Sequence, residues 1–82
     1  MIHISEVLHT IQDNKPHDFI FIAKGTEINK RKGGYKVVMN NSVVTSITST
    51  ERKFNLKSLN SNIIRWCYYV LLINFDGKEV YI

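Results

Sequence analysis

The sequence predicts a mainly β fold, α+β by count, with one N-terminal helix and about six strands, and three observations carry that prediction. Residues with strand chemistry recur in short runs from Phe19 onward, clusters of Asn, Ser, Asp and Gly separate those runs, and helical spacing of apolar residues occurs only near the N-terminus. At 82 residues the chain has room for one core, so 1–82 reads as a single domain. With 44% hydrophobic and 22% charged residues, it resembles folded chains rather than disordered ones.

The elements follow in order. Ser5 precedes Glu6, Leu8 and Ile11, an N-cap and one-sided apolar stripe that predict a helix from Ser5 to about Asn14. Pro16 disfavours helical geometry at Lys15 and ends it. Phe19 to Ala23 is apolar on both alternating faces and predicts a central strand. Lys24 to Gly34, which carries Lys30, Arg31 and Lys32 ahead of Gly33 and Gly34, follows neither period and reads as a flexible cationic loop.

Tyr35 to Met39 and the β-branched run Val43 to Thr48 flank Asn40, Asn41 and Ser42, which predicts a hairpin. Lys53 to Ser58 alternates, with Phe54 and Leu56 on one face and Lys53, Asn55 and Lys57 on the other. That pattern predicts a half-exposed strand with a cationic outer face. After Asn60 to Asn62, the stretch Ile64 to Phe75 is apolar on both faces and predicts a long strand in the middle of the sheet. Asp76 and Gly77 form a two-residue hairpin turn, and Lys78 to Ile82 is the returning strand.

Strands in so small a domain need protected edges, so the expected architecture is a small curved antiparallel sheet or barrel. An OB-like or SH3-like barrel is the first choice, and a curved sheet with the helix on one face is the second.

Several function classes find no support. Cys67 is the only cysteine, which rules out an intramolecular disulfide and a cysteine-based zinc cluster. Its apolar surroundings predict a buried thiol and fit a reducing, cytoplasmic setting. MIHISEVLHTIQ lacks a signal-peptide pattern and Trp66 to Ile73 is too short to span a bilayer, so no membrane association is expected. His3, His9 and His17 lack metal-pair spacing and read as solvated side chains. The seven carboxylates are scattered singly, and Gly25, Gly33 and Gly34 are wrongly spaced for a dinucleotide fingerprint. Neither a nucleophile elbow nor a phosphate loop is present, so neither enzyme activity nor a cofactor is expected.

What stands out is positive charge beside aromatic rings. Eleven Lys and Arg face seven Asp and Glu, a net charge of +4. The charge concentrates in two clusters, Lys30, Arg31, Lys32 and Lys36 with Tyr35, and Arg52, Lys53 and Lys57. On one shared face they would form a cationic path for phosphates, with Tyr35, Trp66 and Tyr68 as rings for base stacking. The competing reading makes the first cluster a soluble hairpin tip and puts at least two of Trp66, Tyr68 and Tyr69 in the core. Because the helix carries no Lys or Arg, single-stranded DNA or RNA is the expected partner rather than duplex. The alternative is a protein-binding module that uses the apolar C-terminal hairpin, including a homodimer that buries Val80 to Ile82.

Three stretches carry a resemblance: ISEVLHTIQDNKPHDFIFIA, the Lys-Arg-Lys-Gly-Gly of 30–34, and the closing INFDGKEVYI. In outline, over most of its length, the chain resembles short, basic, mostly uncharacterised proteins of bacteriophages and mobile elements of gut bacteria. The resemblance implies an accessory protein, for which single-stranded DNA binding, replication support and inhibition of host systems are the expected roles.

Overall fold

A computed structural model of the chain describes residues 1–23 and 35–82. The strands are Ile2–His3 (β1), His17–Ala23 (β2), Tyr35–Thr48 (β3), Lys53–Ser58 (β4), Ile64–Tyr68 (β5), Leu72–Phe75 (β6) and Lys78–Tyr81 (β7). The helix α1 spans Ile4–Thr10 and tightens into a 3-10 turn at Ile11–Asp13. All seven strands join one sheet in the order β1-β7-β6-β2-β3-β4-β5, antiparallel except for the β1–β7 pair.

The helix forms where the apolar stripe predicts it, with a different cap. Ser5 lies inside it, and His3 takes the N-cap position, its Nδ1 accepting the Ser5 backbone N–H at 3.1 Å. Asn14 adopts φ 61°, a left-handed conformation that Asn tolerates, and turns the chain toward Pro16. Ile4, Val7 and Ile11 are buried with Phe19, Phe21, Phe54, Leu56 and Phe75 in a single core. The Phe19 ring lies 5.9 Å from that of Phe54 and 5.3 Å from that of Phe75. β2 is the central strand, paired with β3 on one side and β6 on the other.

The sheet does not close into a barrel, since β1 and β5 at its two ends do not pair. It curls instead, and β5 comes into contact with β2 although β3 and β4 lie between them in the ladder. The curved sheet with the helix on its inner face is the fold that forms.

Two expected elements are corrected. Tyr35 to Thr48 is one long strand rather than a hairpin. Asn41 reverses nothing; at φ 51° it forms a bulge, so that His17 stands opposite Ser42 while Phe19 stands opposite Met39. The bulge is tied on both sides, by the Asn41 N–H to Asp18 Oδ1 at 3.0 Å and by the Leu59 N–H to the Asn41 carbonyl at 3.1 Å.

The apolar stretch from Ile64 to Phe75 is likewise not one central strand. A 3-10 turn at Tyr69–Leu71 divides it into β5, at the edge of the sheet, and β6, beside β2. The terminal hairpin forms as expected, with Asp76 at φ 51° and Gly77 at φ 81°, the signs that a type I′ turn requires. Gly77 supplies that conformation without the penalty a Cβ would bring. Among the described residues no helix is long and apolar enough to cross a membrane.

Candidate functional site

The register of β4 on β5 builds the most distinctive surface. Lys53 stands opposite Tyr68, Asn55 opposite Trp66 and Lys57 opposite Ile64, while the alternate residues Phe54 and Leu56 are buried. Strand alternation therefore puts two lysines, an amide and two aromatic rings on the face turned away from the core. Trp66 is 42% exposed. The Lys53 ammonium sits 4.6 Å from the centre of its ring and 5.6 Å from that of Tyr68, both within cation–π range.

Electrostatics hold Lys53 in that position. Its Nζ donates to Glu51 Oε2 at 2.6 Å, and this hydrogen bond raises the lysine's pKa above its ordinary value. Arg52, exposed and at φ 53°, occupies the turn that leads into β4. Its carbonyl accepts the Tyr69 N–H at 2.9 Å, which fixes the turn against the end of β5. Asn55 Oδ1 is buried with no hydrogen-bond partner among the described residues.

Of the two basic clusters of the sequence, only the second falls wholly within the described residues. Lys30, Arg31 and Lys32 lie outside the described residues. Lys36 is exposed opposite Ile22, on the outer side of the sheet, whereas Tyr35 is opposite Ala23 on the inner side. Lys57 pairs with Val43, and the stretch of β3 from Lys36 to Val43 spans up to about 23 Å at strand rise. The competing reading, which put at least two of Trp66, Tyr68 and Tyr69 in the core, is the one the structure corrects. Of Trp66, Tyr68 and Tyr69, only Tyr69 packs against the core, its ring 5.9 Å from that of Phe54. The other two stay out of the core because strand alternation turns them to the outer face, while Cys67 between them is buried.

Cys67 is buried as expected, and burial pushes its thiol pKa well up, away from the reactive thiolate.

Sequence reasoning missed a second polar constellation. His17, read as solvated, is wedged between two carboxylates: its Nδ1 lies 2.6 Å from Asp76 Oδ2 and its Nε2 lies 3.1 Å from Asp13 Oδ2. A neutral imidazole carries one N–H and cannot donate to both, so this geometry selects the imidazolium. Burial works against the charged ring, but the hydrogen bonds to Asp76 and Asp13 prevail and raise its pKa. Asp76 also accepts the Asp18 N–H at 2.8 Å, so the group ties the helix end, the start of β2 and the terminal turn together. The two carboxylates occupy opposite ring nitrogens and do not converge on one point. Among the described residues no cluster of His, Cys, Asp and Glu is placed to hold a metal ion. Only the spacing of Asp13 and His17, one helical turn, hinted at this group in the sequence.

No protein-family model matches the chain, and no curated protein or solved structure does.

Proposed function

We propose that the outer face of β4 and β5 binds single-stranded nucleic acid. The observation that carries this reading is the Lys53 ammonium held over the exposed Trp66 ring, with Lys57 and Arg52 nearby in the same strand and its leading turn. Exposed aromatic rings flanked by cations are the recurrent chemistry of single-strand binding, where stacking is worth about 1–3 kcal/mol per base. A base stacks on the ring face opposite Lys53, or displaces the ammonium toward a phosphate. Lys57 and Arg52 meet neighbouring phosphates, and Asn55 offers its amide at the edge of the stack.

Trp66 is the only tryptophan in the chain, so its fluorescence reports directly on stacking. Titration with single-stranded oligonucleotides is expected to quench it. Three phosphate contacts predict that log affinity falls against log salt with a slope of about −2. Trp66→Ala and Lys57→Ala should each weaken retention on the single strand. Unchanged fluorescence, or binding indifferent to salt, defeats the proposal.

A second reading, protein binding, is favoured by the same strand. β7 has β6 on one side and β1 on the other, so the terminal strand left with an open edge among the described residues is β5, with Ile64 54% exposed beside Trp66. On this reading an extended partner chain or a second copy adds to β5 rather than to Val80–Ile82. Sedimentation showing a dimer that Ile64→Lys disrupts, with no retention on oligonucleotides, selects it.

A further inference from the structure

β3 is longer than its partner β4. From Ser42 onward it pairs with β4, but from Tyr35 to Asn40 it pairs only with β2, and its other side has no strand beside it among the described residues. That open side faces the β4–β5 turn across a cleft of about 310 Å³, within the size range of small-ligand sites. Buried Met39 and half-buried Val37 supply apolar surface at its base, and exposed Ile63 continues it at the mouth. Asn40, Asn60 and Ser61 supply the polar groups. The Asn60 amide is held in place by accepting from Asn41 Nδ2 at 3.1 Å.

The charge of this cleft is one-sided. Arg65 lines it, and none of the described lining residues is acidic. The Arg65 guanidinium makes a 3.3 Å hydrogen bond to the neighbouring Ile64 carbonyl, a contact that leaves most of its donors for an anion. Apolar surface suits a flat ring, amides suit its polar edge and a guanidinium suits a phosphate.

We infer that this cleft binds one nucleotide, with its base against Val37 and Met39 and its phosphate on Arg65. The inference rests on the nucleic-acid reading and extends it. Arg65 and Trp66 are consecutive residues of an edge strand and point to opposite faces. A single strand stacked on Trp66 therefore turns over the β5 edge and places an adjacent nucleotide in the cleft. A free mononucleotide carries the same chemistry, and the test separates the two sources.

Backbone amide resonances are followed while the protein is titrated with nucleoside 5′-monophosphates, the corresponding nucleosides, inorganic phosphate and a short single-stranded oligonucleotide. Mononucleotides are expected to shift amides of Val37 to Asn40 and Ser61 to Arg65, with nucleosides and phosphate each at least about tenfold weaker. Arg65→Gln should lower mononucleotide affinity about tenfold, the loss expected of one charged hydrogen-bonding partner. Ile63→Phe, which narrows the cleft without changing charge or adding a second tryptophan, should abolish these shifts while leaving Trp66 quenching by the oligonucleotide in place. Shifts from both ligands in the cleft support a nucleotide of a strand. Cleft shifts from the mononucleotide, with neither cleft shifts nor Trp66 quenching from the oligonucleotide, support a free nucleotide and defeat the outer-face reading. Oligonucleotide binding that depends on Trp66, with no response in the cleft to either ligand or to Arg65→Gln, overturns the inference and leaves the outer-face reading standing. Silence from both ligands overturns both.

Discussion

The two ends of the sheet are built on opposite terms. At one end the parallel strand β1 covers β7, the His3 and Tyr81 rings meet edge to face at 5.1 Å, and His17 ties the terminal turn to the helix. At the other end β5 is left open, with Ile64 and Trp66 exposed and Lys53 lying over the aromatic face. Charge serves stability at the first end, because its carboxylates are paired across elements that must stay together. At the second end Arg52 and Arg65 are exposed and Lys57 is half-buried, and none of the three makes an ion pair among those found in the described residues. A small domain with one core thus separates what holds it together from what it offers.

The sharpest way to break this division is within β4, whose alternate side chains belong to the two sides of it. Phe54 is fully buried against Phe19 and Tyr69, and Phe54→Ala is expected to cost about 3–5 kcal/mol, a large part of a small domain's stability. Lys57→Ala, three residues along and facing outward, should change stability by less than about 0.5 kcal/mol. Urea unfolding followed by circular dichroism compares the two without using the exposed Trp66 as a probe. A Lys57→Ala variant as unstable as Phe54→Ala would mean that the outer face is structural after all.

The closed end yields the next largest effect, and pH exposes it. The folded pKa of His17 is raised above its ordinary 6.5, so its contribution is complete below that value and lost as pH rises through the folded value. Asp13 behaves inversely. The Lys15 backbone N–H, with help from His17, lowers its pKa below the ordinary 3.8, so its contribution is lost as pH falls through the folded value. Stability from this group is therefore greatest between the two. Asp76→Asn keeps a side chain that tolerates the left-handed turn but removes one charge from His17. It should cost about 1–2 kcal/mol near pH 6, less if solvent screens the half-exposed carboxylate, and converge with the parent protein at alkaline pH. Thermal unfolding across that range measures it. Parallel curves would show that the His17 charge contributes nothing to holding the elements together.

The closed end was only partly legible in the sequence, and the open end more so. Alternation at Lys53 to Ser58 predicted both faces of β4, because a half-buried strand writes its period directly into polarity. Asp76 and Gly77 predicted the last hairpin through their tolerance of positive φ. The same tolerance misled at Asn41, where a left-handed residue produces a bulge, since pairing with β2 on one side and β4 on the other keeps the chain moving forward. The stretch from Ile64 to Phe75 gave no sign of its break at Tyr69–Leu71. Both pieces are apolar, and only tertiary pairing decides that one lies at the edge and the other beside β2. The His17 group joins residues 13, 17 and 76, and a contact of such long separation leaves no period to read.

Asn55 sharpens the comparison at its finest scale. It lies between Ser46 and Trp66 across the ladder, and its buried Oδ1 has no partner among the described residues. An unsatisfied buried acceptor is expensive, and Asn is a poor strand residue, so Asn55→Val should stabilise the protein by about 1 kcal/mol. If the open end is kept for a ligand, the same substitution should weaken binding of single strands, because the amide beside the stacking ring is gone. Gain of stability with loss of affinity is the pattern expected of a residue held for function. Gain of stability with affinity intact would place the ligand farther from Asn55, toward Arg52. No gain at all would mean that the amide already has its partner, and that the open end carries no unpaired group to explain.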